Sequence, residues 1–368
     1  MASDVNNTLS VQNNKRTEYI PMAENIYLVD NHYLLYDFLS LIKLGDSNLI
    51  ITIRNSIVND FIQETMPKEK QISLHPIQLR KIQELDRSKI EKYLLFPIDI
   101  IIIRWKCRKL VKNINYSSNT KVYFFSKHRI EYLMLIKYLK KEGIEIIYIN
   151  SVRSDEFVRK MDRTEINLLR RIYLSFIELL AGFKLTWFEH RVKNKLKLLG
   201  CDTTISSSEL NRKTWREIRE NIKWNYKVNT RNSVLLIDAP VQTIKGVDLD
   251  ESLKNIIKFF NGIIEKGFDI HLKLRPLNVL MHSFQDTIFE NKITTVAQNI
   301  PAEMILDYYD EVYLFHSGPG QYECKATKYS LAKLLIFKTK IRHDWYWSTV
   351  KLIFGNEYNN INFVELDL

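Results

Sequence analysis

The sequence predicts two α/β domains in tandem, each built on a doubly wound parallel sheet. Three observations lead there. Short apolar runs that read as strands alternate with amphipathic helical stretches from about Asn25 to Asn150, and the same alternation resumes at Ser233. Between the two series lies a helical and then a polar interval of different character. Near the end, Asp310 to Ala326 reads as a strand, a glycine turn and the first turn of a helix. Strands that are apolar along their whole length belong to parallel sheets covered by helices on both faces. A chain of 368 residues is long enough for two such cores.

Taken in order, Met1 to Pro21 is rich in Asn, Ser, Thr and Lys and reads as a disordered lead-in. Asn25 to Asp30 is a first strand, followed by a helix from His32 to Gly45. Asn48 to Ile53 is a second strand, with a helix after it through Glu64. The apolar run Phe96 to Trp105, with Ile100 to Ile103 at its centre, reads as a central strand. Lys121 to Phe125 is a strand, Ile130 to Lys141 a helix closing at Gly143, and Glu145 to Asn150 the next strand. From Asp155 to Gly200 the pattern is helical, with Leu169, Ile172, Tyr173, Phe176, Leu179 and Leu180 on one stripe. Within it Phe183, Leu185, Trp187 and Phe188 are interleaved with Lys184, Arg191, Lys193, Lys195 and Lys197, as on a helix that lies in a membrane surface, the alternative for the region being a helix packed on the first sheet.

Cys201 to Ser208 is small and polar. With the Trp-rich segment after it, it marks the passage between domains, and residues 22–208 and 233–368 are the expected domains on either side of a linker at 209–232. In the second domain Val234 to Asp238 is a strand, Asp250 to Lys266 a helix stopped by Gly267, and Ile270 to Leu274 a strand. Pro301 and Glu303 open a short helix, and Val312 to Phe315 forms the last strand before the glycine turn.

Composition narrows the function. Three cysteines in no paired spacing supply neither a disulfide framework nor a zinc cluster, which fits a reducing cytoplasm. No apolar run reaches the roughly 18–20 residues that span a bilayer. A net charge of +11 points to an anionic partner. The cations are spread along the chain without the spacing of a nucleic-acid recognition element, so phosphate-bearing small molecules, polyanionic glycans and anionic membrane surfaces are the better expectations.

Two stretches carry the chemistry. In the turn His316-Ser317-Gly318-Pro319-Gly320, backbone N–H groups and the positive end of the following helix would cradle a phosphate, with the Ser317 hydroxyl as a further donor. In His271-Leu272-Lys273-Leu274-Arg275-Pro276 the period of two puts His271, Lys273 and Arg275 on one face of a strand. Cations on a strand expected to be buried need an anion, and Arg275 at its carboxyl end could hold one in a fork. An edge strand that shows this face to water is the alternative.

Leu235 to Gln242, the His271-to-Pro276 strand, Pro301-Ala302-Glu303 and the Phe315-to-Gln321 turn resemble, in order and spacing, the carboxyl-terminal domain of bacterial sialyltransferases and polysialyltransferases of the GT-B architecture. Ile26 to Leu35 is similar to their first strand and turn, so the resemblance covers about two thirds of the chain. It implies two Rossmann-like domains facing a central cleft, and transfer, with inversion, of sialic acid or a related acidic sugar from a CMP-activated donor to a glycan or glycolipid of the bacterial surface. It implies no cofactor and no metal for donor binding. It places donor phosphate at Arg275 and Pro276, ribose or base contacts at Glu303, and further phosphate contacts at Ser317. A cytoplasmic location follows, with peripheral contact to the inner face of the membrane as a further expectation.

Two departures stand out. The family's His-Pro is here Arg275-Pro276, which keeps a cation but loses an imidazole. Its acidic pair with glycine is absent after the Glu145-to-Asn150 strand, where Ser151 to Glu156 stand instead. A base must still take the acceptor's proton, and Asp155 or Glu156 is the first candidate, with Asp30 and His32 as the alternative pair. His75-Pro76 repeats the lost dipeptide in another part of the chain. The departures keep two further readings open: a UDP- or GDP-sugar donor on the same fold, and a non-catalytic glycan- or nucleic-acid-binding protein on that scaffold.

Overall fold

The structure is a computed structural model that describes residues 20–29, 34–43, 45–53, 57–66, 72–77, 89–125, 130–150, 172, 176–177, 179–181, 201–206, 210, 213–224, 230–237, 258–273, 293–297, 299–314, 334–338, 356, 359 and 362–365. These form two six-stranded sheets in which every strand pairing is parallel.

The first sheet contains β1 (Ile20–Leu28), β2 (Asn48–Ile53), β3 (Ile72–Ile77), β4 (Ile114–Phe124), β5 (Glu145–Asn150) and β6 (Thr203–Ser206). Their order in space is β3-β2-β1-β4-β5-β6. Alternate residues of its strands feed two separate cores. Ile26, Leu28, Leu49, Ile51, Val122, Phe124, Ile146 and Tyr148 face one side, and Tyr27, Val29, Ile50, Ile147 and Ile149 the other. α1 (Leu35–Leu41) and α2 (Ile57–Thr65) cover the second side. α3 (Lys89–Asn113) and α4 (Ile130–Lys141) cover the first, so the sheet is doubly wound.

The second sheet contains β7 (Ser233–Ile237), β8 (Asp269–Lys273), β9 (Ile293–Val296), β10 (Val312–Leu314), β11 (Leu334–Lys338) and β12 (Asn362–Glu365). Its order is β12-β11-β10-β7-β8-β9. Counted from β7 as its first strand, this repeats the order of the first sheet. β7 is buried at every position, as a strand with helices on both faces must be. Gly143 and Gly267 adopt φ values of +82° and +87°, ending α4 and the helical residues 258–265 with the left-handed turn that glycine takes without strain.

One element departs from the sequence reading. Phe96 to Trp105 is not a central strand but lies inside α3, a helix of 25 residues. An apolar run of this length does not separate helix from strand by itself. The deciding signal continues beyond it: Ile100, Ile103, Cys107, Leu110 and Val111 are buried, at helical spacings of three and four, while Ile98, Ile101 and Ile102 are exposed. Polar Thr203 to Ser206, read as part of the passage between domains, adds β6 to the sheet edge through four residue pairs with β5. The Pro301–Glu303 start gives not an α-helix but two 3-10 turns, Ala302–Met304 and Leu306–Tyr308. The interfacial stretch Phe183 to Lys197 lies outside the described residues.

Between the sheets runs α5 (Trp215–Asn221). Thr214 caps it, accepting from the Glu217 N–H while the Glu217 carboxylate accepts from the Thr214 N–H. Trp215, Ile218 and Ile222 pack on the α1 and α2 side of the first sheet, with the Trp215 ring 4.9 Å from that of Tyr36. The Tyr36 hydroxyl adds a 2.7 Å hydrogen bond to the Lys213 carbonyl.

Candidate functional site

In doubly wound sheets ligands bind beyond the carboxyl ends of the strands, where the strand order reverses. In the second sheet that point lies between β7 and β10. Registers there are in step: Ile237 pairs with Lys273 on one side and with Leu314 on the other. The last residues of β8, β7 and β10 therefore stand level, about 5 Å from strand to strand. Two of the three are followed in the chain by a candidate segment: Arg275-Pro276 after β8, and His316, Ser317, Gly318 and Gly320 after β10. Those residues lie outside the described set, so their side chains are not placed; the strands that lead to them are.

β8 is not an edge strand, because β9 flanks it, and the solvent-facing alternative for its cations falls. His271 and Lys273 are both buried. His271 is held by the hydroxyl of Tyr309, 2.7 Å from its Nδ1, with the two rings edge to face. Burial, opposed by nearby Asp269, lowers the imidazole's pKa below its ordinary value, so the ring is neutral near neutrality. His271 is therefore held as a neutral ring against Tyr309 and is not a cation for a phosphate. Lys273 is left as the described cation at the carboxyl end of β8.

Glu303 lies on the Ala302–Met304 turn, partly exposed and next to Met304, which is fully buried in the same core as α5 and the first sheet. Sequence reasoning missed what holds that turn. Arg219, on α5, donates to the Met304 carbonyl at 2.8 Å and grips Asp307 with both guanidinium nitrogens, 2.7 Å for Nη1 to Oδ1. The guanidinium also stacks 4.8 Å over the Tyr308 ring. Burial works against its charge, and the hydrogen bonds and charge of Asp307 outweigh that, raising its pKa. On the first domain's side, Glu64 accepts from the Asn299 side chain. Glu303 is thus carried on a turn clamped to the first domain. Nothing in the local sequence around Arg219 marks this role, because its partner lies 88 residues away.

In the first sheet the reversal lies between β1 and β4. Asp30 and His32 follow β1 directly, while Asp155 and Glu156 come five and six residues after β5, one strand further out. All four lie outside the described residues. The strand end before Asp30 is pinned: the buried Tyr132 hydroxyl of α4 lies 2.9 Å from the Val29 carbonyl and 3.2 Å from that of Ile51. Cys107 and Cys201 have thiols pushed up to about 12 by burial, with the charges of Glu131 and Asp202 adding, so neither offers a thiolate nucleophile. Among the described residues no three His, Cys, Asp or Glu side chains group as metal ligands would.

No family model matches the chain. One curated relative is a DNA primase of Clostridium acetobutylicum, 25% identical over 273 residues; the match takes in 72% of this chain and 40% of that protein, so the chain spans well under half the length of the relative it matches. Among solved structures, the Arabidopsis thaliana enzyme UGT89C1 complexed with UDP is 10% identical, with 93% of this chain and 85% of that one covered and a TM-score of 0.46. E. coli heptosyltransferase WaaC with ADP is 9% identical, covering 93% and 92%, with a TM-score of 0.42. Acinetobacter baumannii MurG is 8% identical, covering 93% and 86%, with a TM-score of 0.37. The fold rests on the strand orders themselves: two Rossmann-type sheets in tandem, joined through α5, make the chain a two-domain α/β protein.

Proposed function

We propose that the protein is a glycosyltransferase that binds a nucleotide-activated sugar at the carboxyl ends of β8, β7 and β10 and transfers the sugar to a glycan acceptor held by the first domain. The observation that carries this is the level register of Ile237, Lys273 and Leu314 at the reversal point of the second sheet, with a buried lysine at one of the three ends. Lys273 and Arg275 would neutralise the leaving phosphate, and the turn from His316 to Gly320 would donate backbone N–H groups to it. Glu303 would take the ribose or base. A UDP-sugar is the donor we put first, ahead of a CMP-activated acidic sugar. The His-Pro that meets the donor phosphate in the resembling family is Arg275-Pro276 in this chain, which suits a different phosphate geometry.

Inversion requires a base on the acceptor side. Asp30 and His32 suit that role better than Asp155 and Glu156, because β1 borders the reversal point and β5 does not. A carboxylate beside a neutral imidazole can hold the ring while it takes the acceptor's proton.

Thermal unfolding against UDP, UMP, CMP, CDP, GDP and ADP at matched ionic strength tests the donor. A nucleotide at a hundredfold its Kd adds about 2.7 kcal/mol, a shift of a few degrees for domains of this size. The expected result is a shift with UDP that Lys273→Met reduces, with Kd weakened ten- to a hundredfold for a lost charge-assisted hydrogen bond of about 1.5–3 kcal/mol. A shift with CMP alone would return the donor to the sialyltransferase-like reading. Silence across the panel would leave a binding protein rather than an enzyme. With a donor found, Asp30→Asn or His32→Ala should lower kcat by about 10²–10⁴ while the nucleotide shift stays; loss in Asp155→Asn instead would move the base to that segment.

A further inference from the structure

α3 has two apolar sides, and one of them packs against the described core. The inner side, Ile100, Ile103, Cys107, Leu110 and Val111, packs into the first domain's core. On the opposite arc Ile98, Ile101, Ile102 and Trp105 are 52%, 53%, 43% and 61% exposed. At 100° per residue these four fall within a quarter to a third of the helix circumference. The same arc continues for two more turns as cations, with Arg108, Lys109 and Lys112 all exposed. Lys109 Nζ sits 5.5 Å from the centre of the Trp105 ring, where the apolar half meets the basic half. From Ile98 to Asn113 the only carboxylate is Asp99, against Arg104, Lys106, Arg108, Lys109 and Lys112.

The basic half extends onto the neighbouring helix. Lys137 of α4 has its ammonium pulled below the ordinary lysine range by burial and by Lys141, Arg104 and Arg108. Arg104 also donates to the Leu180 carbonyl, tying α3 to helical residues that leave Ile172, Phe176 and Leu179 exposed as well.

We propose that the outer face of α3 docks the protein on a bilayer bearing anionic headgroups. The helix would lie flat, its amino-terminal half sinking Ile98, Ile101, Ile102 and Trp105 to the acyl boundary, and its carboxyl-terminal half setting Arg108, Lys109 and Lys112 against phosphate. Trp105 lies at the junction, where an indole is at home in the interface. Charge decides the occupant. A second copy meeting the first face to face would give Arg108, Lys109 and Lys112 no anion, on chains that each carry a net charge of +11, whereas an anionic lipid surface satisfies both halves of the arc at once. No described helix is long and apolar enough to cross a membrane, and this arc needs none. The inference stands apart from the identity of the donor.

Co-sedimentation with phosphatidylcholine vesicles, with and without phosphatidylglycerol, tests it on the full chain. The expected result is binding that needs the anionic lipid and weakens with salt. Ile101→Ser with Trp105→Ser should lower the partition coefficient at least about tenfold with the unfolding midpoint unchanged, since both positions face outward. Lys109→Glu with Lys112→Glu, which leaves the apolar residues alone, should do the same at low salt and less at high salt. No binding to the anionic vesicles, or equal binding by wild type and both variants, would overturn the proposal. So would a dimer in light scattering that the Ile101→Ser, Trp105→Ser variant converts to monomer, which would make the face a contact between copies.

Discussion

His271 shows how a buried basic residue can be spent on structure. Its ring is neutral because burial costs a charged imidazole more than nearby Asp269 returns. Its folded pKa lies below the unfolded value of about 6.5, so below that pH the unfolded chain binds the proton more readily. The stability this site contributes is therefore present above about pH 6.5 and is lost as pH falls through the folded value. The unfolding midpoint should drop between pH 7 and pH 5, and His271→Gln, which has no proton to gain, should flatten part of that drop. An unchanged slope in the variant would mean that other groups carry the acid sensitivity. Of the candidate residues read from the sequence, His271, Lys273 and Glu303 fall within the described set. The period of two placed His271 and Lys273 together, yet it could not separate a histidine held by Tyr309 from a lysine at a strand end, because the Tyr309 hydroxyl comes from 38 residues away.

At the scale of elements, β2, α4 and β5 coincide with their sequence-read bounds because period and stop signals agree there: β2 and β5 are short apolar runs, and α4 ends in Lys140, Lys141 and a left-handed Gly143. α3 went the other way because β-branched isoleucines at 100–103 look like a buried strand when only the run is weighed. Read through to Val111, the burial spacing is helical, and the exposed isoleucines show that the run's apolarity serves two surfaces. α5 matters for a different reason. Its Arg219 is the described side chain that ties the helix to both Met304 and Asp307. Arg219→Met should cost roughly 1–3 kcal/mol, since the buried Met304 carbonyl loses its donor, and should weaken nucleotide binding through the turn that carries Glu303 while Lys273 stays in place. Calorimetry and a nucleotide titration on one sample separate the two effects. A variant with an unchanged midpoint and unchanged nucleotide affinity would show that the clamp is dispensable.

For the whole molecule, the fold class was legible because parallel sheets announce themselves as fully apolar strands, and the first domain was read more completely than the second. β3 in the first domain and β9, β11 and β12 in the second have no counterpart among the strands read from the sequence. β9 is only four residues long with two threonines exposed, and β11 and β12 sit on the far side of the glycine turn that drew attention. Strand order, which sets the reversal points, has no local signature; it follows from which crossovers lead where.

The order in which the cores are completed bears on synthesis. β6 closes the first sheet at Ser206, but one face of that sheet is finished only by Trp215, Ile218 and Ile222 of α5, and finally by Met304. At a translation rate of about 5–20 residues per second the wait for α5 is a few seconds at most, and the wait for Met304 several times longer. A nascent chain stopped just after Ser206 should therefore expose apolar surface and bind a hydrophobic dye, or aggregate. One stopped just after Trp224 should fold with a cooperative transition, because α5 is then available as a lid supplied by the chain itself. If both fragments behave alike, α5 is a passenger of the first domain rather than its last folding step.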